Sequence, residues 1–399
     1  MIRIRLIRLA ALLFASILCS CQSGPPATGQ AANVQRGYQP APDTDEAGLW
    51  LMMDEAEQDL RTSGKLITDP EVNAYLRDII CRLASDICAD VRVYLVRIPY
   101  FNATMAPNGV MQVWSGLLLR TENEAQLAYI LGHEIAHYRY QHSLQMFRQA
   151  KLTANVLAPF QLITTAGGVG YVGSLAELGA VGTLMKFSRD HEREADDGGF
   201  KMAVAAGYDP HEAAKIWEGL QREMDALEES GPSLFLSTHP SSGERVDALE
   251  QRARAAVRPA AGWYTGGERY DETIAPLRFA LMRDELRLRQ FPATQILLDR
   301  AAEAGKSVSE VKFFQAELYS ARAEKDDALQ AEIAYRECLQ HADAPPQAYR
   351  ELAMIYMKSG RGKQALPLFE AYLEREPAAF DRSMVEAYMA RIVAGENGR

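Results

Sequence analysis

Long apolar runs are scarce in this sequence of 399 residues. The run Leu9 to Leu18 is too short to cross a bilayer, which takes about 20 residues. A longer stretch, Leu152 to Ser188, is mostly apolar and carries only Glu177 and Lys186 as charges, but Pro159, Gly167, Gly168, Gly170 and Gly173 interrupt it. It reads as helices broken by a loop; a spanning helix and a mobile lid that also touches lipid are the other readings. No long basic run offsets the net charge of −10, which excludes a nucleic-acid partner. Cysteine is sparse, with five in all, so the fold must rest on its core, and 48% hydrophobic residues supply ample material for one. Cys81 and Cys88 can pair in an exported protein if the chain turns near Ser85 and Asp86, because a continuous helix would hold them roughly 10.5 Å apart. Cys338 is then left unpaired in a helix core.

Three arginines within Met1 to Arg8, followed by the apolar run, have the layout of a secretory signal peptide. The segment ends L-C-S-C and resembles a bacterial lipobox. That resemblance implies cleavage before Cys21, lipidation of Cys21 and, with Gln22 following, an outer-membrane destination. A plain secreted protein cut near the same place is the alternative. Residues 1–20 are thus read as signal peptide with lipobox, and 21–45, rich in Pro, Gly, Ala and Gln, as a flexible tether.

The most informative stretch is Leu131 to His137, L-G-H-E-I-A-H. His133 and His137 are four apart, so they share one face of a helix and can reach one metal ion. Glu134 stands where a carboxylate can take a proton from a metal-bound water, the H-E-x-x-H arrangement of zinc-dependent peptidases. Thr121 and Glu124 read as a capping box that starts this helix, and Leu127, Ile130 and Leu131 as its buried face. Upstream, Asp69 caps a helix from Pro70 to about Ala84. Val91 to Arg97 and Val110 to Trp114 read as strands, with Pro107-Asn108-Gly109 as a turn.

Catalytic zinc needs a third protein ligand beside an open position. His142 is near, but on a continuing helix it lies roughly 180° from His133, so we reject it as a ligand and give it a surface or supporting role. Ser188 to Gly198, S-R-D-H-E-R-E-A-D-D-G, offers more. Glu192 and Asp196 share a helix face, so Glu192 can bind metal while Asp196 fixes the tautomer of a ligand histidine. Glu194 and His191 are the fallback ligands.

The set N-A-x-x-x-P-x-G from Asn102, Gly116-Leu117-Leu118, H-E-I-A-H and S-R-D-H-E-R-E-A-D resembles the M48 family of zinc metallopeptidases over roughly residues 45–257. The resemblance implies one zinc per chain on His133, His137 and Glu192, with Asp196 as partner. A further family element appears as Thr238-His239-Pro240 followed by Arg245. It implies a place for His239 beside the cleft, either occupying the fourth zinc position at rest or donating to the oxyanion during catalysis, and a bracing role for Arg245. A loop histidine with no catalytic role is the third reading.

Tyr349, Leu352, Ala353, Tyr356, Gly360, Ala365, Phe369 and Pro377 fall at tetratricopeptide offsets, with weaker copies upstream. Stacked units of this kind form a concave surface for peptides or partner proteins. The expected fold is therefore a mainly α zincin-like domain with a small antiparallel sheet, followed by an α-helical tetratricopeptide solenoid. The boundaries read as 46–257 for the peptidase-like part, 258–268 for a linker and 269–399 for the repeats.

The exported branch of the family then implies a periplasmic zinc endopeptidase, lipid-anchored to the outer membrane, acting in quality control or assembly of outer-membrane proteins. Its substrates would be unfolded or misassembled envelope proteins, and its repeats would engage the assembly machinery. The rival classes are a chaperone or scaffold with zinc that only braces the fold, and a structural lipoprotein with no metal. An intact Glu134 speaks against the scaffold, because structural zinc needs no base.

Overall fold

The computed structural model describes residues 34–152, 187–227, 239 and 243–395. Cys21 with its leader, and residues 153–186 of the apolar stretch, lie outside the described residues. No described helix is long and apolar enough to cross a membrane.

Helix α1 (Asp45–Thr62) is followed by α2 (Pro70–Leu83). Asp69 accepts from the amides of Glu71 and Val72, and Pro70 opens the first turn, as the sequence leads one to expect. The chain turns after Leu83 and brings the Cα atoms of Cys81 and Cys88 to 4.9 Å in a disulfide, while Cys338 is buried and free.

Strands β1 (Arg92–Val96), β2 (Ala103–Met105) and β3 (Val110–Trp114) form a sheet of order β1-β3-β2. The sheet is mixed, where an antiparallel one was expected. After β1 the chain crosses to the far edge, enters as β2 and returns through a hairpin into β3, which therefore runs parallel to β1. Gly109 closes that hairpin at φ 86°, where a Cβ would also stand 2.6 Å from the Asp90 carbonyl oxygen.

Next come α3 (Ser115–Arg120) and α4 (Glu124–Arg139). The capping box is not formed. Asn123 caps α4 by accepting from the Gln126 amide at 2.9 Å, and Thr121 instead ends α3. Glu124 is wholly buried and takes the Tyr208 hydroxyl at 2.8 Å and Arg269 at 3.2 Å. All of α4 from Glu124 to Tyr138 is buried, which marks it as the central helix of the first core. Around it lie α5 (His142–Leu152), α6 (Arg189–Ala205), α7 (Glu212–Ala226) and α8 (Gly243–Ala255).

The C-terminal part is all helix: α9 (Gly267–Arg287), α10 (Phe291–Glu303), α11 (Val308–Arg322), α12 (Asp327–Cys338), α13 (Pro346–Lys358), α14 (Gly362–Arg375) and α15 (Arg382–Val393). α13 and α14 pack together over the stretch with the clearest repeat pattern, and Ala353, Ala365, Phe369 and Tyr372 share one core there.

The segment 258–268 leads into a helix that belongs to two cores. Tyr270, Ile274 and Leu281 of α9 pack in the core built around α4, while Met282 and Leu286 start the next one. A buried ionic contact ties the same region together. Arg120 donates to Glu223 at 2.6 Å and to Glu285 at 2.9 Å, and Arg300 donates to Glu223 at 3.1 Å and to the Arg120 carbonyl at 2.9 Å. Helices α3, α7, α9 and α10 each contribute one of these four side chains, all of them buried. Gly219 leaves the room Arg300 needs, since a Cβ there would stand 2.3 Å from its Cζ.

Candidate metal centre

Two helices place the chemistry. α4 carries His133, Glu134 and His137, and α6 carries Glu192, Glu194 and Asp196. They touch backbone to backbone where Gly132 meets Gly199. A Cβ on Gly199 would lie 2.6 Å from the His133 amide nitrogen, and one on Gly198 would lie 2.9 Å from the Ala136 Cβ and the Tyr140 hydroxyl. Glycine inside a helix costs about 1 kcal/mol against alanine, so the pair Gly198-Gly199 needs a packing reason. The reason is that only hydrogen at these positions lets Glu192, two turns earlier on α6, reach the histidines of α4.

Gly199→Ala therefore sets that propensity gain of about 1 kcal/mol against a clash with backbone that cannot swing away. Overpacking of this kind costs about 1–3 kcal/mol, so the variant is expected to melt lower. It should also hold less metal, because the helices that carry the donors are pushed apart. Calorimetry and elemental analysis of the purified variant check both.

His133, His137, Glu192 and His239 form one buried group whose donor atoms all lie within 4.8 Å of one another. Nε2 of His133 is 3.0 Å from Nε2 of His137 and 3.3 Å from Nδ1 of His239. The Glu192 carboxylate lies 3.6 Å from His137 Nε2, 3.7 Å from His133 Nε2 and 3.1 Å from His239 Nδ1. Four donors at tetrahedral positions on bonds of about 2.0–2.1 Å are separated by about 3.3 Å, so this donor set fits one zinc-sized ion. Burial, reinforced by His133 and His239, pushes the pKa of His137 well down and keeps its ring neutral, the form that binds metal.

Asp196 and Arg245 stand behind these donors. Asp196 accepts from His133 Nδ1 at 3.0 Å and is clamped by Arg245 at 2.7 and 2.8 Å. Burial opposes its charge, but the bonds from His133 and Arg245 hold its pKa below the usual carboxylate range. Arg245 also lies 2.9 Å from Glu192 and stands 4.4 Å over the Trp217 ring. Glu134 is buried, and its Oε1 has no hydrogen-bond partner. Burial raises its pKa, against the pull of His239 and His133.

His142 is not where a continuing helix would put it. α4 stops at Arg139, Gln141 takes a left-handed φ of 55°, and this break in the helix lets His142 face His137. The reading of His142 as pointing away from the metal histidines is thus corrected, although it stays outside the donor group. Glu194 does not reach that group either; it binds His142 at 3.1 Å, and His191 stacks on the His142 ring at 4.4 Å. Sequence reasoning missed Phe187, which stacks on His137 at 3.9 Å, and Trp217, whose ring stands edge-on to His133 at 6.4 Å. Neither carries a spacing signal, since each is a lone aromatic outside any motif. Thr238 and Pro240, which flank His239, lie outside the described residues.

Residues 67–253 match the model of peptidase family M48. These residues belong to that family. The M48 domain resembles the putative beta-barrel assembly-enhancing protease of Vibrio cholerae at 28% identity over 204 residues, 49% of this chain and 42% of the relative. It is similar to the mitochondrial metalloendopeptidase OMA1 of Schizosaccharomyces pombe at 33% over 162 residues, 40% of this chain and 45% of the relative. The metalloprotease LoiP of Escherichia coli is 28% identical over 257 residues, 62% of this chain and 96% of the relative. The chain thus spans less than half the length of the first two relatives and nearly all of the third.

Proposed function

We propose that the chain is a zinc-dependent endopeptidase of the bacterial cell envelope. One observation carries this reading: a buried three-histidine, one-glutamate donor set with a buried carboxylate, Glu134, directly beside it, whose Oε1 makes no hydrogen bond and lies 3.7 Å from His239 Nε2. When bound, zinc supplies Lewis acidity, which acidifies water and takes up negative charge on a carbonyl oxygen.

The chain's own residues do the rest. His133, His137 and Glu192 hold the ion, and Asp196 keeps the proton of His133 on Nδ1, so that Nε2 presents its lone pair. Glu134 takes the proton of the attacking water and returns one to the leaving amine, a task suited to a carboxylate whose pKa burial has raised. β2 is an edge strand, and the Met105 backbone amide faces the Glu134 carboxylate. An extended substrate adding to that edge would lay its peptide bonds past the base.

His239 acts as a removable fourth donor. Catalytic zinc keeps one position open, and His239, whose Nδ1 lies 3.1 Å from Glu192, would cover that position at rest. His239→Ala should therefore raise peptide cleavage, by about tenfold for each 1.4 kcal/mol by which the covered state is favoured. An initial-rate assay on an unstructured peptide reads the sign. A fall of about 10²–10³-fold would mark His239 as an oxyanion donor instead.

The substrates proposed are unfolded or misassembled outer-membrane proteins, consistent with the names of the beta-barrel assembly-enhancing relatives. Cys21 would carry a lipid anchor, and the C-terminal helices would bind clients or assembly machinery as tetratricopeptide units. Metal analysis of the full chain, with digestion of an unfolded barrel protein before and after chelation, tests the reading. Absence of zinc, or digestion that survives its removal, overturns it.

A further inference from the structure

His133 and His137 are braced in different ways. His133 has a carboxylate, Asp196, on its Nδ1. The partner of Nδ1 of His137 is a ring nitrogen: His142 Nδ1, 2.9 Å away. Two facing ring nitrogens at that distance share one proton, so one donates and the other accepts. The next contact decides which. His142 Nε2 lies 3.1 Å from Glu194 Oε2, and an ionised carboxylate only accepts. Nε2 of His142 therefore carries the hydrogen. With that hydrogen on Nε2, the neutral His142 ring presents the lone pair of its Nδ1 to His137. His137 then donates from Nδ1, and its own lone pair falls on Nε2, the atom that faces His133 and Glu192.

The planes of both rings are held as well. Phe187 stacks on His137 at 3.9 Å and 25°, and His191 stacks on His142 at 4.4 Å and 19°. We propose that His142 and Glu194 form a positioning relay that fixes the tautomer and orientation of His137 toward the metal. On this assignment α6 sets the whole centre. Glu192 enters it directly, Asp196 braces one histidine, and Glu194 braces the other through His142. Glu194 is 65% exposed, so the far end of the relay sits at the protein surface.

The relay rests on the zinc reading above, and the test separates the two. Zinc release from the full chain to a chromophoric chelator is timed for wild type, His142→Leu, His142→Asn and Glu194→Ala, and the melting temperature of each zinc-free protein is recorded beside it. Asparagine can place its amide oxygen near the position of Nδ1 and still accept from His137, whereas leucine fills the space without an acceptor. Loss of such an outer partner typically lowers metal affinity about 10–100-fold, which is the acceleration of release expected for His142→Leu. His142→Asn should stay nearer wild type, and Glu194→Ala should shift the same way by less, because water can replace the carboxylate. A residue that only packs predicts the reverse order, with leucine at least as good as asparagine. If His142→Leu does not fold, Glu194→Ala carries the test, since its side chain is mostly in solvent. Release unchanged in Glu194→Ala, or equal in the leucine and asparagine variants, overturns the relay. Wild-type protein without zinc overturns the metal reading and the relay with it.

Discussion

Glu134→Gln is expected to lower kcat/KM for an unfolded protein substrate by about 10²–10⁴-fold, the usual worth of a positioned general base. Zinc content should not change, because Glu134 is not needed among the donors that the structure gathers. Stability should not fall either. The Oε1 atom that would be altered has no hydrogen-bond partner to lose, and burial already works against the charge on this carboxyl. The three readouts together are what make the variant informative. Lost turnover with retained zinc and an undiminished melting temperature places the proton transfer on Glu134. Full turnover in the variant would remove Glu134 from the chemistry, and a wild type that holds zinc but cleaves nothing would favour a scaffold. If the chain binds clients as proposed, the same variant is suited to trapping them from an envelope extract.

Ending the chain at Arg258 is expected to unfold the M48 domain or leave it barely stable. Such a fragment keeps every metal donor, and the composition around 258–268 reads like a clean place to cut. The packing says otherwise. Tyr270, Ile274 and Leu281 would leave the core built around α4, and each fully buried side chain of this size is worth roughly 1.5–3 kcal/mol. Arg120 and Glu223 would lose Glu285 and Arg300 while staying buried, and breaking a buried pair costs roughly 3–5 kcal/mol. Domains have only about 5–15 kcal/mol to lose. A chain ending at Gly305 keeps α9, α10 and both arginine contacts. It should melt well above the shorter fragment and hold its zinc. Urea titration of the two fragments beside the full chain checks this, and equal midpoints for all three would show that α9 adds nothing to the peptidase fold.

The motif residues were the legible part of this molecule. Spacing of four placed His133 with His137 and Glu192 with Asp196, because helical periodicity is local and survives in the string of letters. What the sequence hid was set by contacts between distant segments. The mixed sheet follows from a strand of three residues, Ala103–Met105, too short to show alternation. The sequence pointed to Thr121 as the cap, because Glu124 looked like a capping carboxylate; in the fold Asn123 is the cap and Glu124 is a buried partner of Tyr208 and Arg269. His142 was misplaced by extending a helix through Gln141, where one left-handed residue breaks the helical register. The boundary near Arg258 was drawn from proline and glycine content, which reports a turn but not which core the next helix enters.

The buried contact of Arg120 and Arg300 with Glu223 and Glu285 also sets a ruler. It fixes the direction in which the C-terminal helices leave the M48 domain, so a client gripped on α12–α15 would stand at a set distance from the metal. Cleavage of that client would then be an intramolecular event. Its rate follows an effective concentration that is near zero when the slack chain cannot span the gap and falls as about the −3/2 power of slack length once it can. On the proposed function, a compact, finished barrel protein would offer no slack and would be spared even while bound. A stalled one would trail unfolded chain and come within reach, so the fold would sort its clients by how much of them remains unpaired.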